Sequence, residues 1–371
     1  MPWPPLRDAL VGDEPYGAPQ LDVPVQLNTN ENPYGPSPAA ADDVAAAVRE
    51  AALGLNRYPD REFSALRRGL TDYLNSDGGR DLTPDMVWAA NGSNEVMMQI
   101  LQAFGGPGRT ALSFAPTYAM YPEYARNSLT EWVAARREDD FSLDLDKARQ
   151  LVQELQPAVV LLPSPNNPTG TALPPEAVSM LCEAAGNGLV VIDEAYGEFR
   201  RDGVPSALEL IDTHRNLVVT RTMSKAFALA GARLGYLAAR QEVVDAIRIV
   251  RLPYHLSAVT QATALAALRH APELLGRVAD LRIERDSTVE WLRDQGCAVA
   301  DSDANFVLFG TFADRHAVWQ ALLDAGVLIR ETGPEGWLRV SVGTGEEMAA
   351  FRAALTDVIA THPPTTVKET R

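Results

Sequence analysis

The chain has 371 residues, of which 46% are apolar, enough for a substantial core and for about two domains. Its formal net charge of −16 argues against nucleic acid or an anionic membrane surface as a partner. No apolar run approaches the ~20 residues of a membrane helix, the N-terminus lacks a continuous apolar segment of signal-peptide type, and Cys182 and Cys297 show no Cys-x-x-Cys spacing, so a reducing, cytoplasmic setting is expected.

Residues 1–38 are rich in Pro, Gly and Asn and read as an ordered arm rather than a helix or strand. Within it, Leu27-Asn-Thr-Asn-Glu-Asn-Pro-Tyr-Gly-Pro36 is dense in turn-formers and amides. Pro38 starts an Ala-rich helix to about Leu53, with proline at a favourable first position. Arg57-Tyr-Pro-Asp60 breaks the pattern, and a second helix is expected from about Glu62 to Leu74.

Strand and helix then alternate, the pattern of a largely parallel sheet with crossover helices. Strands are expected at Met86–Ala90, Thr110–Phe114, Ala158–Leu162, Leu189–Ile192 and Asn216–Thr220. They end in Asn91-Gly-Ser-Asn94, Ala115-Pro-Thr-Tyr118, Ser164-Pro-Asn-Asn-Pro-Thr-Gly170, Asp193-Glu-Ala-Tyr196 and Arg221-Thr-Met-Ser-Lys225. Ligands of open α/β sheets sit at the carboxyl ends of the strands, so these loops are expected to converge on one site. After Tyr236 the chain reads as helical (241–251, 258–269 and 272–295). A mixed region follows, with strands near 304–309, 327–330 and 337–342 and helices near 314–325 and 346–360. The expected division is an arm and part of the small domain over 1–44, a large domain over 45–265, a small α+β domain over 266–361 and a disordered tail over 362–371.

Only three of the 33 Lys and Arg residues are lysines: Lys147, Lys225 and Lys368. A chain that uses arginine almost everywhere retains lysine where a primary amine is required. An amine can lose its proton and form an imine with an aldehyde, and a guanidinium cannot. The apolar and small residues around Lys225 would desolvate it and lower its pKa. The other strand-end loops supply partners for an aromatic aldehyde cofactor carrying a phosphate. Asp193 can face a protonated ring nitrogen, and Tyr196 and Asn167 can hold a ring oxygen. Tyr118 can stack on the ring. Ser93, Asn94, Thr222, Ser224 and Arg233 can hold the phosphate at a helix start. Taken singly, Asp193-Glu194 serves equally as a solvated strand end, Asn91–Asn94 as a helix cap, Pro165–Pro168 as a turn and Arg233 as an ion-pair partner. Their joint occurrence, each after a strand, is what carries the reading. Metal chemistry is not indicated, because the five histidines are scattered and none lies in a His-Glu-x-x-His arrangement. No lysine follows a glycine, which excludes a P-loop.

The set Asn91–Glu95, Ser164–Gly170, Asp193–Tyr196 and Ser224-Lys225 with Arg233 resembles the fold-type I pyridoxal-phosphate aminotransferases. Within them, Asn28-Thr-Asn-Glu-Asn-Pro33, Arg57-Tyr-Pro-Asp60, Arg221–Phe227 and Leu338-Arg-Val-Ser-Val-Gly343 resemble the histidinol-phosphate aminotransferase family, over roughly residues 13–360. The resemblance implies an α/β fold with a large, mostly parallel central sheet and a smaller α+β domain. It implies pyridoxal 5′-phosphate as cofactor, bound covalently by Lys225, which also shuttles the proton of transamination. It implies a homodimer in which Tyr58 reaches the neighbouring subunit's cofactor phosphate. It assigns Tyr16, Tyr254, Arg330 and Arg339 to the substrate, the two arginines holding the phosphate of L-histidinol phosphate and the carboxylates of glutamate and 2-oxoglutarate. Alternatives on the same scaffold are an aromatic amino-acid aminotransferase, a carbon-lyase relative and a non-catalytic protein; the intact Lys225, Asp193, Asn167 and Tyr196 set speaks against the last.

Overall fold

The computed structural model describes residues 4–15, 17–78 and 81–365. In chain order the arm contributes β1 (Val25–Gln26), followed by α1 (Pro38–Ala52), α2 (Ser64–Ser76), β2 (Val87–Ala90) and α3 (Ser93–Phe104). Next come β3 (Thr110–Ala115), α4 (Tyr121–Asn127), β4 (Glu131–Arg136), α5 (Leu145–Leu155), β5 (Val159–Pro163) and α6 (Pro175–Ala185). They are followed by β6 (Leu189–Asp193), β7 (Leu217–Thr222), β8 (Gly235–Ala239), α7 (Gln241–Val250), α8 (Ala258–Arg269) and α9 (Ala271–Asp294). The last part holds β9 (Ala298–Val299), β10 (Phe306–Gly310), α10 (Arg315–Asp324), β11 (Val327–Leu328), β12 (Leu338–Ser341) and α11 (Gly345–Thr361).

Seven strands form the central sheet in the order β2-β8-β7-β6-β5-β3-β4. All neighbours are parallel except at β8, which runs antiparallel to both β2 and β7. Strands β5, β6 and β7 are buried along their whole length, as continuous Val/Leu/Ile runs covered by helices on both faces require. Two strands of this sheet were not legible in the sequence. Strand β4 is an edge strand with no buried residue, half exposed and half intermediate, which blurs its apolar signal, and Gly235-Tyr-Leu-Ala-Ala239 of β8 is short and rich in small residues. Some helices start where the sequence supplies a cap. Ser37 accepts from Ala40 N at α1, and Thr344 and Glu347 form a reciprocal capping box at α11.

The arm is not wholly irregular, since β1 pairs in parallel with β11. Strands β12, β10 and β9 make a separate antiparallel sheet. The apolar core divides accordingly. One cluster, from Phe63 to Leu274, surrounds the central sheet, and another gathers Leu27 with residues from Val289 to Val358. A third cluster bridges them, with Phe199 and Ala226 against Val278, Leu281 and Phe306. At the C-terminus Thr361 closes α11 and Thr365 N donates to Thr311 O at 2.7 Å; residues 366–371 lie outside the described residues.

Candidate active site

The carboxyl ends of β5, β6 and β7 and the start of α3 open into one cavity of ≈ 260 Å³. Strand β7 hands over to Met223-Ser224-Lys225, and the Lys225 side chain runs along the cavity wall. Its Nζ donates to the Thr29 carbonyl of the arm at 2.8 Å and lies 5.9 Å from the centre of the Tyr196 ring. Burial of the amine, then the nearby Arg339 charge, lower its pKa to about 8. A substantial share of the amine is therefore uncharged slightly above neutrality.

Asp193 ends β6 and faces the same cavity. One carboxylate oxygen accepts from Thr220 Oγ1 at 3.0 Å and from Ala195 N at 3.2 Å, and the other from Tyr121 Oη at 3.1 Å. Three donors stop short of a full charge partner, and burial raises its pKa to about 6. A carboxylate held this way is completed by a cationic group arriving in the cavity.

Tyr196 and Asn167 meet beside Lys225. The Tyr196 hydroxyl accepts from Asn30 Nδ2 at 3.0 Å and from Asn167 Nδ2 at 3.5 Å. At the opposite end of the cavity, α3 begins at Ser93 directly after Gly92, whose φ is +83°. A Cβ at Gly92 would lie 2.7 Å from Arg233 Nη2, so the tip of the guanidinium closes on this turn at a distance a side chain would block. A Cβ at Gly235 would lie 2.0 Å from Ser93 N, so β8 passes the helix start at a distance only glycine permits. Thr222 Oγ1 donates to Ser224 Oγ at 2.9 Å and accepts from Ser224 N at 3.1 Å. Hydroxyls, a helix N-terminus and an arginine thus converge on an anion-binding corner.

The remaining wall comes from the other sheet. Arg330 and Arg339 face each other across an isolated antiparallel bridge, with Arg330 N to Arg339 O at 3.0 Å and the reverse bond at 2.9 Å. Arg339 donates to Asn167 Oδ1 at 2.6 Å and to Asn28 O at 2.8 Å, with its guanidinium 5.1 Å from the centre of the Phe306 ring. Arg330 lines the cavity mouth and reaches Gly17 O at 3.3 Å.

The profile of the family described as Aminotransferase class I and II matches residues 23–355. The chain belongs to this aminotransferase family. It is 63% identical over 351 residues to the histidinol-phosphate aminotransferase of Thermobifida fusca (strain YX), covering 95% of this chain and 94% of that one. It is 60% identical over 356 residues to histidinol-phosphate aminotransferase 3 of Burkholderia lata, covering 96% of each. Among solved structures, histidinol-phosphate aminotransferase from Sinorhizobium meliloti in complex with pyridoxal-5′-phosphate superposes with a TM-score of 0.81 at 28% identity, over 91% of this chain and 92% of that one.

In this aminotransferase the cavity brings together Lys225, Ser93, Asn94, Tyr118, Asn167, Asp193, Tyr196, Thr222, Ser224, Arg233, Arg330 and Arg339. Tyr58 and Tyr254 do not line it. They stack on each other with ring centres 4.4 Å apart, and Tyr58 is 79% exposed. Tyr16 lies outside the described residues. Sequence reasoning missed the arm residues Asn28, Thr29 and Asn30 and, beyond β11, Thr332 as lining residues. The amide-rich stretch 28–32 was the available signal, but no local pattern says that Thr29 of the arm folds onto a lysine 196 positions away. No helix among the described residues is long and apolar enough to cross a membrane, and no group of three or more metal-ligating side chains occurs among them.

Proposed function

We propose that this chain transfers the amino group of L-histidinol phosphate to 2-oxoglutarate with pyridoxal 5′-phosphate as cofactor. The observation that carries the reading is the pairing of Arg330 with Arg339 on the wall of a cavity that already holds the low-pKa Lys225 and the buried Asp193. The identity of about 60% to two enzymes of that name supports it.

The donor set fits the cofactor at three points: a buried carboxylate awaiting a cation, a lysine with a lowered pKa, and an anion-binding corner. When bound, the cofactor supplies an electron-withdrawing aromatic aldehyde that stabilises negative charge at the substrate Cα. Asp193 keeps that withdrawal strong by holding a positive charge opposite its carboxylate. Lys225 would be the covalent anchor through its uncharged amine and, once free, would take the proton from the substrate Cα as base and deliver it as acid to the cofactor's aldehyde carbon. Tyr196 and Asn167 fix an oxygen beside the amine, Tyr118 covers one face, and Ser93, Asn94, Thr222, Ser224 and Arg233 hold the phosphate. Arg330 and Arg339 present two guanidinium groups side by side. They suit the phosphate of one substrate and the carboxylates of the other.

The pair Tyr58 and Tyr254 sits in an exposed apolar surface with Leu53, Leu55, Ile249 and Leu252. We assign that surface to a homodimer, with Tyr58 completing the partner's phosphate corner, Tyr254 reaching its substrate and Tyr16 closing the site from the arm. The separate apolar clusters support a division into a large and a small domain with the arm joined to the small one, but the first cluster runs to Leu274, which moves the proposed boundary from about residue 265 into α9. The two buried, unpaired cysteines suit a reducing, cytoplasmic compartment.

Single-turnover half-reactions test the reading. Histidinol phosphate is expected to discharge the yellow, cofactor-loaded protein far faster than phenylalanine does. The reverse order would replace the substrate assignment with an aromatic amino acid.

A further inference from the structure

Behind the cofactor wall lies a buried ionic cluster that the reaction does not use. Strands β6 and β7 pair with Asp193 opposite Thr220, and Glu194 N continues the ladder to Thr220 O at 2.8 Å. Side chains alternate across a sheet, so Asp193 and Thr220 face the cavity while Glu194 and Arg221 face the other side. There they form a fork. Arg221 Nε and Nη2 both donate to Glu194 Oε2, at 3.0 and 2.8 Å. Both side chains are essentially without solvent contact. Arg221 also reaches Asp77 and, at 3.5 Å, Glu198. Glu194 accepts further bonds from Arg200 at 3.1 Å, from Ser206 Oγ and from Ala207 N at 2.7 Å. Burial pushes the Glu194 carboxyl upward, but Arg200 and Arg221 outweigh it and hold it below the ordinary range.

The expense of this cluster is hard to assign to stability alone. A buried ion pair rarely outperforms apolar residues of the same volume, because two charges must be desolvated. The cluster is also imperfect: Glu198 Oε2 and Tyr236 Oη are buried without hydrogen-bond partners among the described residues, and Tyr236 is the strand neighbour of Arg221 on β8. Burial raises the Glu198 carboxyl. What the fork does uniquely is tie the residue after Asp193 to the residue before Thr222, three positions before Ser224 and four before Lys225. It joins two strand ends at the point where both leave the sheet for the site.

We propose that Arg221 and Glu194 are positioning residues for the cofactor. Their two-bond fork holds the ends of β6 and β7 in register, and so holds Asp193 against the ring nitrogen while Thr222, Ser224 and Lys225 hold the rest. Neither touches cofactor or substrate. The inference rests on the assignment of Lys225 and Asp193 above.

The test uses purified full-length protein, with pyridoxal phosphate as the probe. Arg221→Lys keeps the charge and removes the fork; Glu194→Gln keeps the shape and removes the charge. Three quantities are read: cofactor affinity after reconstitution, the pH midpoint of the absorbance of lysine-bound cofactor, and the thermal midpoint of the cofactor-free protein. The expected result is binding weaker by at least about fivefold in both variants. In Arg221→Lys the absorbance midpoint should also move upward by about half a pH unit or more, because a loosened Asp193 would keep the ring nitrogen less fully protonated and the ring would withdraw less charge from the lysine. Unchanged affinity in both variants, with the midpoint also unmoved in Arg221→Lys, would overturn the inference and leave the fork a core ion pair, whether or not the thermal midpoint falls. Should one variant fail to fold, the affinity of the other decides. A wild type without the titrating band, or a Lys225→Ala protein that retains it, would instead remove the Lys225 assignment, and this inference with it.

Discussion

Lys225, Asp193 and Ser93 stand at the ends of a seven-stranded sheet whose central strands are buried on both faces, whereas Arg339 lies in the four-residue β12 of a three-stranded sheet and Arg330 joins it by a one-rung bridge beyond the two-residue β11. The first wall is held by long parallel ladders and a continuous apolar core, and it carries the groups that must be placed to within tenths of an ångström for covalent chemistry. The second wall combines the three-stranded sheet of β12 with the β1–β11 pair that ties it to the arm, and its arginines are the ones proposed to bind an oxyanion. In the proposed function, chemistry sits on the stiff part and recognition on the part with fewer ladder bonds, so substitutions on the two walls should separate rate from affinity.

The largest effect is expected at Lys225. Lys225→Ala should lower turnover by at least about a thousandfold and abolish the yellow colour, read by stopped-flow absorbance. Asp193→Asn comes next, with kcat reduced by about a hundredfold while the KM for histidinol phosphate changes little. Asp193 also leaves a mark on stability. In the cofactor-free protein its pKa is raised from 3.8 to about 6. Between those values the folded chain keeps a proton that the unfolded chain has lost, so stability falls as pH rises through the window, by up to about 3 kcal/mol. Urea melts of wild type and Asp193→Asn across pH 3.8 to about 6 should diverge by that slope. Lys225 gives the opposite sign at higher pH. Its pKa is lowered from 10.5 to about 8, so stability rises with pH between those values, and Lys225→Met should flatten that rise.

On the other wall, Arg330→Ala should raise the KM for histidinol phosphate by about ten- to a hundredfold with kcat largely kept. Arg339→Ala should affect both constants, because Arg339 also holds Asn167 and the Asn28 carbonyl. If Arg330→Ala lowers kcat instead of raising KM, the separation of the two walls fails. The smallest effect is expected at Tyr58, where Tyr58→Phe should weaken cofactor retention a few-fold through one lost hydrogen bond to the partner's phosphate, measured by dialysis and fluorescence.

The stiff wall was the legible one. Each of its residues follows a buried strand at short sequence distance, so Asn91–Asn94, Ser164–Gly170, Asp193–Tyr196 and Ser224-Lys225 were readable as loops that meet at one edge of a sheet. The strands carrying Arg330 and Arg339 were read near 327–330 and 337–342, but the roles of the two arginines entered only through resemblance to a family, because no local pattern tells a substrate-facing charge from any other charge on a strand. Thr29, Asn30 and Tyr121 were missed for a related reason: their partners Lys225, Tyr196 and Asp193 lie 196, 166 and 72 positions away, distances that no local pattern spans. The Arg221–Glu194 fork was in plain view in the motifs but carried no chemistry until the alternation of side chains put it behind the site.

The bond from Lys225 to the Thr29 carbonyl has a consequence for the catalytic cycle as a whole. An amine released from covalent duty needs a resting place that is close, accepts its hydrogens and does not neutralise it with a full negative charge. A backbone carbonyl meets all three conditions, and unlike a side chain it cannot be lost by point substitution. That carbonyl belongs to a strap that also supplies Asn28 to Arg339 and Asn30 to Tyr196. The strap thus links the lysine's hydrogen-bond acceptor to the wall proposed to hold the substrate's anionic group, so a substitution that loosens it should disturb both.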